Sequence, residues 1–63
     1  MPIIQVSLIQ GRSEDQKAAL IQALTDAAEN SIGAPRDSVR VILLEVPNTD
    51  FGMGGRTAKS LGR

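Results

Sequence analysis

Two stretches of the chain have the residue pattern of β-strands. Residues 3–9 alternate with a period of two, so one face is wholly apolar and the other is mixed; the apolar face holds Ile4, Val6 and Leu8, and the mixed face holds Ile3, Gln5, Ser7 and Ile9. Residues 39–46 are rich in β-branched and leucine side chains and are apolar on both faces, with one arginine among them. The pattern therefore predicts two strands, each with more apolar surface than a single helix could cover.

The stretch between the two strands has the pattern of a helix. Ser13 is a suitable N-cap, and Gln16 follows three residues later to complete a capping box. Gly33 can end the helix in the left-handed conformation, and Pro35 prevents its continuation. A helix of roughly 18–20 residues is expected. Its predicted buried stripe consists of Leu20, Ile21, Leu24, Ala27, Ala28 and Ile32.

The order strand, helix, strand predicts the fold class. A helical crossover joins parallel strands with right-handed geometry, so we expect an α/β (α+β) chain with one β-α-β unit. After Pro47 the sequence becomes rich in turn residues, and we expect residues 56–63 to pack on a neighbouring subunit as a short C-terminal hairpin. We expect a single domain over residues 1–63.

Composition narrows the possibilities further. A chain of 63 residues buries only about 60% of its unfolded surface, and this one has no Cys and no His with which to add disulfides or a structural zinc site. Assembly of several copies is the remaining source of stability, so we expect an obligate homo-oligomer. The formal net charge of zero argues against a nucleic-acid or membrane partner. With no membrane-span or signal-peptide pattern, we expect a cytoplasmic protein.

Few residues could carry chemistry. Pro2 follows Met1 directly, so removal of Met1 would turn its ring nitrogen into a free secondary amine, which is a base and a nucleophile. Arg40 lies inside an apolar strand, where its guanidinium must reach solvent, an anionic ligand or a carboxylate; Asp37 or Glu45 could supply the carboxylate. Arg12 alone fits an ordinary solvated turn, and Phe51, the one aromatic residue, alone fits a core position.

Taken together, these features resemble a known family. The chain has Pro2 behind Met1, Gly11-Arg12-Ser13 after the first strand, Ser38-Val39-Arg40-Val41 after the helix, and Phe51-Gly52-Met53-Gly54-Gly55 near the end. In this order and at this spacing they resemble the 4-oxalocrotonate tautomerase family over essentially the whole chain. The resemblance implies short β-α-β subunits that assemble as hexamers, as trimers of dimers, with sites at subunit contacts and no metal or organic cofactor.

The resemblance also implies roles for individual residues in aromatic catabolism. Pro2 would be the general base after removal of Met1, and would convert 2-hydroxymuconate, a dienol diacid, to 2-oxo-3-hexenedioate. Arg40 would bind the C1 carboxylate and the 2-oxygen, and Arg12 the remote carboxylate. Phe51 would form an apolar wall, and the backbone N–H of Ile9 would polarise the carbonyl end. Two guanidiniums and an apolar pocket would lower the pKa of the Pro2 amine.

The residue types at key positions also bear on other activities known for this fold. Hydrolytic dehalogenases resembling this chain need an acidic residue where Met53 stands, which argues against that chemistry. The set of one proline, two arginines and one phenylalanine also suits other enol acids, such as a phenylpyruvate-type substrate. A non-catalytic oligomeric binding or scaffold protein of the same fold remains the alternative from a different class.

Overall fold

The computed structural model describes every residue from Met1 to Arg63. The main elements are strand β1 (Ile3–Ile9), helix α1 (Glu14–Ile32) and strand β2 (Arg40–Val46), followed by the short strands β3 (Gly52–Met53) and β4 (Arg56–Thr57). Two 3₁₀ helices complete the chain, Arg36–Ser38 before β2 and Lys59–Leu61 after β4.

β1 and β2 form a two-stranded parallel sheet, which confirms the predicted β-α-β unit. Their register is continuous from Ile3 opposite Arg40 to Ile9 opposite Val46. The observed β2 begins one residue later than predicted, at Arg40, because Val39 caps the preceding 3₁₀ helix in an extended conformation.

The helix ends are those that the sequence predicts. Ser13 and Gln16 form a reciprocal capping box, with the Gln16 N–H donating to Ser13 Oγ at 3.2 Å and the Ser13 N–H donating to Gln16 Oε1 at 3.0 Å. Gly33 ends the helix at φ 67°, a left-handed conformation that L side chains rarely adopt, and its N–H donates to the Glu29 carbonyl. The helix has 19 residues, within the expected length.

α1 covers only one face of the sheet. Ile4, Val6 and Leu8 are half-buried beneath it, whereas Ile3 on the opposite face is 63% exposed. The opposite face of β2 is equally bare, with Ile42 at 41% and Leu44 at 47% exposure. We call the residues of this side the bare sheet face: Ile3, Gln5, Ser7, Arg40, Ile42 and Leu44.

The single chain therefore lacks a filled core. Its buried residues are three alanines, Ala28, Ala34 and Ala58, and no large side chain is fully buried. The predicted helix stripe is correspondingly only partly covered, because Ile21, Ala27 and Ile32 are exposed. The prediction of one buried helix face is thus wrong for half of its members within the isolated chain.

The C-terminal hairpin is present but begins earlier than predicted. β3 and β4 pair in antiparallel fashion, with Gly52 opposite Thr57 and Met53 opposite Arg56. Gly54 and Gly55 both have positive φ and form the tight turn between them. The tail beyond β4 then folds back on its own chain, since the Asn48 side-chain amide donates to the Arg63 carbonyl at 3.0 Å and the Lys59 N–H donates to the Asn48 carbonyl.

None of the helices combines the length and the apolar character that crossing a bilayer requires.

The capping box yields a first prediction. Ser13→Ala removes the acceptor for the Gln16 N–H and should lower the free energy of unfolding by about 1 kcal/mol. The measurement is the urea midpoint of each variant at one fixed protein concentration, so that the midpoints are compared under the same conditions of assembly. Ser31→Ala, at an exposed position of the same helix, is the matched control and should be neutral or slightly stabilising. Equal losses in the two variants would contradict the capping role.

Candidate active site

Pro2 and Arg40 lie together at one end of the parallel sheet. The Pro2 carbonyl accepts the Arg40 backbone N–H at 3.0 Å, which extends the ladder one residue beyond β1. Pro2 is half-buried, and Arg40 is exposed on the bare sheet face. Pro2 therefore lies at the end of the sheet beside Arg40.

The Arg40 guanidinium is held by backbone carbonyls. Its Nη1 donates to the Asp37 carbonyl at 2.5 Å and approaches the Val39 carbonyl at 3.4 Å. The alternative of an ion pair with Asp37 or Glu45 is wrong, because the guanidinium bonds to the backbone carbonyl of Asp37 and not to its carboxylate. Glu45 points to the helix side of the sheet and pairs there with Lys17 at 2.8 Å. Arg40 thus keeps N–H donors free for an anion.

Ile9 and Arg12 lie at the other end of the same sheet. Arg12 Nη1 donates to the Ile9 carbonyl at 3.2 Å, which folds the arginine back over the end of β1. Gly11, at φ 137°, allows the chain to turn here before the helix starts.

The backbone N–H of Ile9 points away from β2. The Gln10 N–H donates to the Val46 carbonyl, so Gln10 faces the parallel ladder. Backbone groups of adjacent residues in a strand point to opposite sides, and the Ile9 N–H and carbonyl therefore face the free edge of β1. The Arg12 contact to that carbonyl agrees with this direction. The Ile9 N–H is available as a donor in the single chain.

Phe51 follows the end of β2, at the base of the hairpin. It is half-buried, and its carbonyl accepts the Ala58 N–H at 2.7 Å. Ala58 has no exposed surface, so the residue that fixes Phe51 is the most completely buried in the chain. The backbone of Phe51, whose side chain is predicted to line the site, is thus bonded to the segment that follows the hairpin.

One chain does not bring all of these groups together. Pro2 and Arg40 are separated from Ile9 and Arg12 by the length of β1, which has seven residues and is about 20 Å long. The chain encloses no cavity, and no three side chains among its Asp and Glu residues are grouped to hold a metal ion. Residues from opposite ends of the sheet can reach one small ligand only if they belong to different copies.

Sequence reasoning missed an ion-pair network near Arg40. Arg36 Nη1 donates to Asp26 Oδ1 at 2.6 Å and to Glu29 Oε1 at 3.2 Å, which joins the 3₁₀ helix Arg36–Ser38 to α1. The hydrogen bond that Arg36 donates to Asp26, together with the negative charges of Asp26 and Glu29, raises the pKa of Arg36 above its usual value. The spacing of Asp26 and Glu29 on one helix face was the available signal.

Comparison with known proteins agrees with this architecture. Residues 2–60 match the family described as tautomerase enzymes. The 2-hydroxymuconate tautomerase of Stutzerimonas stutzeri is 48% identical over 63 residues, which is the full length of both chains. Among solved structures, a 4-oxalocrotonate tautomerase isozyme from Methylibium petroleiphilum superposes with a TM-score of 0.94 at 47% identity, covering 98% of this chain and 100% of the other.

A second solved structure is a heterohexamer 4-oxalocrotonate tautomerase from Chloroflexus aurantiacus J-10-fl. It has a TM-score of 0.92 and 38% identity, covering 97% of this chain and 98% of its own. The fold and these similarities define an isomerase subunit of the small β-α-β type. The chain belongs to the tautomerase family and is a tautomerase.

Proposed function

We propose that this tautomerase converts 2-hydroxymuconate to 2-oxo-3-hexenedioate, with the Pro2 amine as general base after removal of Met1. The observation that carries the proposal is the full-length similarity, at 48% identity, to a 2-hydroxymuconate tautomerase. The free donors of the Arg40 guanidinium support it, because they suit a dianionic substrate. The proposed pathway is aromatic catabolism.

The proposed reaction moves one proton and needs no co-reactant. Pro2 removes the proton of the 2-hydroxyl group and returns it at C5, so the dienol becomes the conjugated ketone with no net loss or gain of atoms. A secondary amine in the backbone ring has little conformational freedom, which fixes the base relative to the sheet. A base that works near neutral pH must be largely unprotonated.

Two arginines and two neutral groups complete the proposed site. Arg40 binds the C1 carboxylate and the 2-oxygen, where negative charge develops as the proton leaves. Arg12 binds the remote carboxylate, the N–H of Ile9 donates to the carbonyl end, and Phe51 excludes water along one side. The positive charge of the guanidiniums also disfavours protonation of Pro2, so substrate binding and base activation have one electrostatic source.

Assembly is part of the proposed mechanism. We propose a homo-oligomer, a hexamer arranged as a trimer of dimers, in which the bare sheet faces meet. Exposure of Ile3, Ile42 and Leu44 supports it, since apolar surface of this kind is buried when copies associate. The separation of Pro2 and Arg40 from Ile9 and Arg12 supports sites shared between subunits. The hexameric relative named above has a closely similar subunit.

A charge on the bare sheet face should prevent assembly and abolish turnover together. Leu44→Asp places a carboxylate where copies are proposed to pack, and desolvating it would be strongly unfavourable. Light scattering after size exclusion and the tautomerase assay, both at one protein concentration, should show small species without activity. Gln22→Asp, at an exposed position of α1, carries an acidic residue as the control and should keep the wild-type size. An active Leu44→Asp protein of wild-type size would contradict the interface.

The experiment that tests the proposed base combines intact mass with ketonisation of 2-hydroxymuconate. The active protein should lack Met1 by mass. Pro2→Ala keeps a free amine but loses the ring, so kcat should fall by about ten- to a hundredfold without vanishing. The control is a form with one uncleaved residue before Pro2, which makes the nitrogen an amide and should be inactive. Unchanged turnover in Pro2→Ala would exclude Pro2 as the base.

The mass and the assay also separate the alternatives. A Met1-free protein that is inactive on 2-hydroxymuconate but turns over a phenylpyruvate-type enol would move the proposal to that substrate. A correctly assembled protein without Met1 that turns over neither would favour the non-catalytic scaffold.

Replacing Arg40 and replacing Arg12 should change different kinetic constants. Arg40→Ala removes charge stabilisation in the transition state and should lower kcat by about 100- to 1,000-fold. Arg12→Ala removes one charge-assisted contact to the remote carboxylate and should mainly raise KM, by about tenfold. Steady-state kinetics on 2-hydroxymuconate measure both. Arg63→Ala removes an arginine whose side chain makes no hydrogen bond and should have no effect. If neither Arg40→Ala nor Arg12→Ala changes the kinetics, the anion site has been assigned to the wrong residues.

A further inference from the structure

The Arg36 network lies outside the proposed site but is connected to it through the backbone. Arg36 binds Asp26 and Glu29 of α1 with a single nitrogen, Nη1, at 2.6 and 3.2 Å. The 3₁₀ helix that Arg36 begins contains Asp37, whose carbonyl accepts from the Arg40 guanidinium. The ion pairs and the proposed anion-binding arginine are therefore anchored on the same short turn.

The second carbonyl near Arg40 belongs to the same turn. The Val39 N–H donates to the Arg36 carbonyl at 3.2 Å, and the Val39 carbonyl lies 3.4 Å from Arg40 Nη1. Both acceptors of the guanidinium are thus within three residues of Arg36. A change in the orientation of this turn would move both acceptors together.

The turn has no other polar side-chain link to the helix. The Ser38 N–H and Oγ both donate to the Pro35 carbonyl, at 2.9 and 2.8 Å, and these bonds are internal to the turn. Burial of Ala34 fixes the chain just before the turn. The Arg36 ion pairs are therefore the polar side-chain contacts that join the turn to α1.

We propose that Arg36 is a positioning residue for Arg40. It holds the Asp37 and Val39 carbonyls against α1, and these carbonyls fix the guanidinium so that its remaining N–H groups face a substrate carboxylate. The inference rests on the role proposed for Arg40. The Arg36 ion pairs, which lie within one chain, would then orient Arg40 before substrate binds.

The kinetic test is a double-mutant cycle in the full-length, assembled protein. Arg36→Gln should lower kcat/KM for 2-hydroxymuconate by about two- to fivefold, the range expected for exposed ion pairs. In the Arg40→Ala background, Arg36→Gln should have no further effect, because the residue through which it acts is gone. Arg36→Lys retains the positive charge and should recover part of the loss. Arg63→Gln removes the same charge from a residue without ion pairs and is the control.

The salt dependence of kcat/KM distinguishes the positioning role from a general loss of stability. Added NaCl screens exposed pairs, so the difference in kcat/KM between wild type and Arg36→Gln should shrink as the salt concentration rises. Asp26→Asn removes the negative charge at the shorter of the two contacts while keeping Arg36, and should reproduce the direction of the effect. This variant also tests the inference if Arg36→Gln assembles poorly.

A spectroscopic measurement tests the geometry without turnover. The Nε–Hε signal of Arg40 in a ¹⁵N correlation spectrum is assigned by its disappearance in Arg40→Ala. It should shift or broaden in Arg36→Gln and stay unchanged in Arg63→Gln. An unchanged signal, or equal losses of kcat/KM by Arg36→Gln with and without Arg40, would overturn the positioning role.

Failure of this inference can be told apart from failure of the proposed function. If Arg40→Ala leaves turnover unchanged, the assignment of Arg40 to the anion site fails, and with it the catalytic consequence proposed for Arg36. If Arg40→Ala lowers turnover but Arg36→Gln does not, only the positioning role fails.

Discussion

The structure depends on one constraint, which is that a single helix can cover only one face of a two-stranded sheet. α1 lies over Ile4, Val6 and Leu8, and nothing in the same chain covers Ile42 or Leu44. The fully or nearly buried residues are all alanines, so side-chain burial within one subunit is small. Most of the hydrophobic stabilisation that a chain of this size needs must therefore come from contacts between copies.

The same constraint links stability to the proposed chemistry. Parallel pairing puts Pro2 beside Arg40 at one end of the sheet and leaves Ile9 and Arg12 at the other, about 20 Å away. A substrate the size of a six-carbon diacid cannot bridge that length. Contacts that cover the bare sheet face are thus also the means by which residues from the two ends could meet.

The sequence predicted the elements that local residue patterns determine, namely the helix ends and the strands. It did not predict the contacts that depend on how these elements pack in three dimensions. The Ser13 capping box and the Gly33 end of α1 follow from spacing within one turn, and the strands follow from alternation. The same alternation places residues 40 and 45 on opposite faces of β2, which excludes Glu45 as the partner of Arg40 and leaves it to Lys17. The bond from Arg40 to the Asp37 carbonyl depends on the 3₁₀ turn and could not be found from the pattern. The early start of the hairpin was missed because Gly52 lies in a glycine-rich segment, which is typical of a loop.

The proposed anion-binding groups are already oriented within the single chain. Arg12 is held by the Ile9 carbonyl, and Arg40 by the carbonyls of a turn joined to α1. Neither guanidinium is neutralised by a carboxylate, so neither would have to give up an ion pair when substrate arrives. Assembly would then bring together donors that need little reorganisation, which is the condition under which fixed charges stabilise a transition state most effectively. The subunit is incomplete as a site, but its charged parts are prepared before the copies meet.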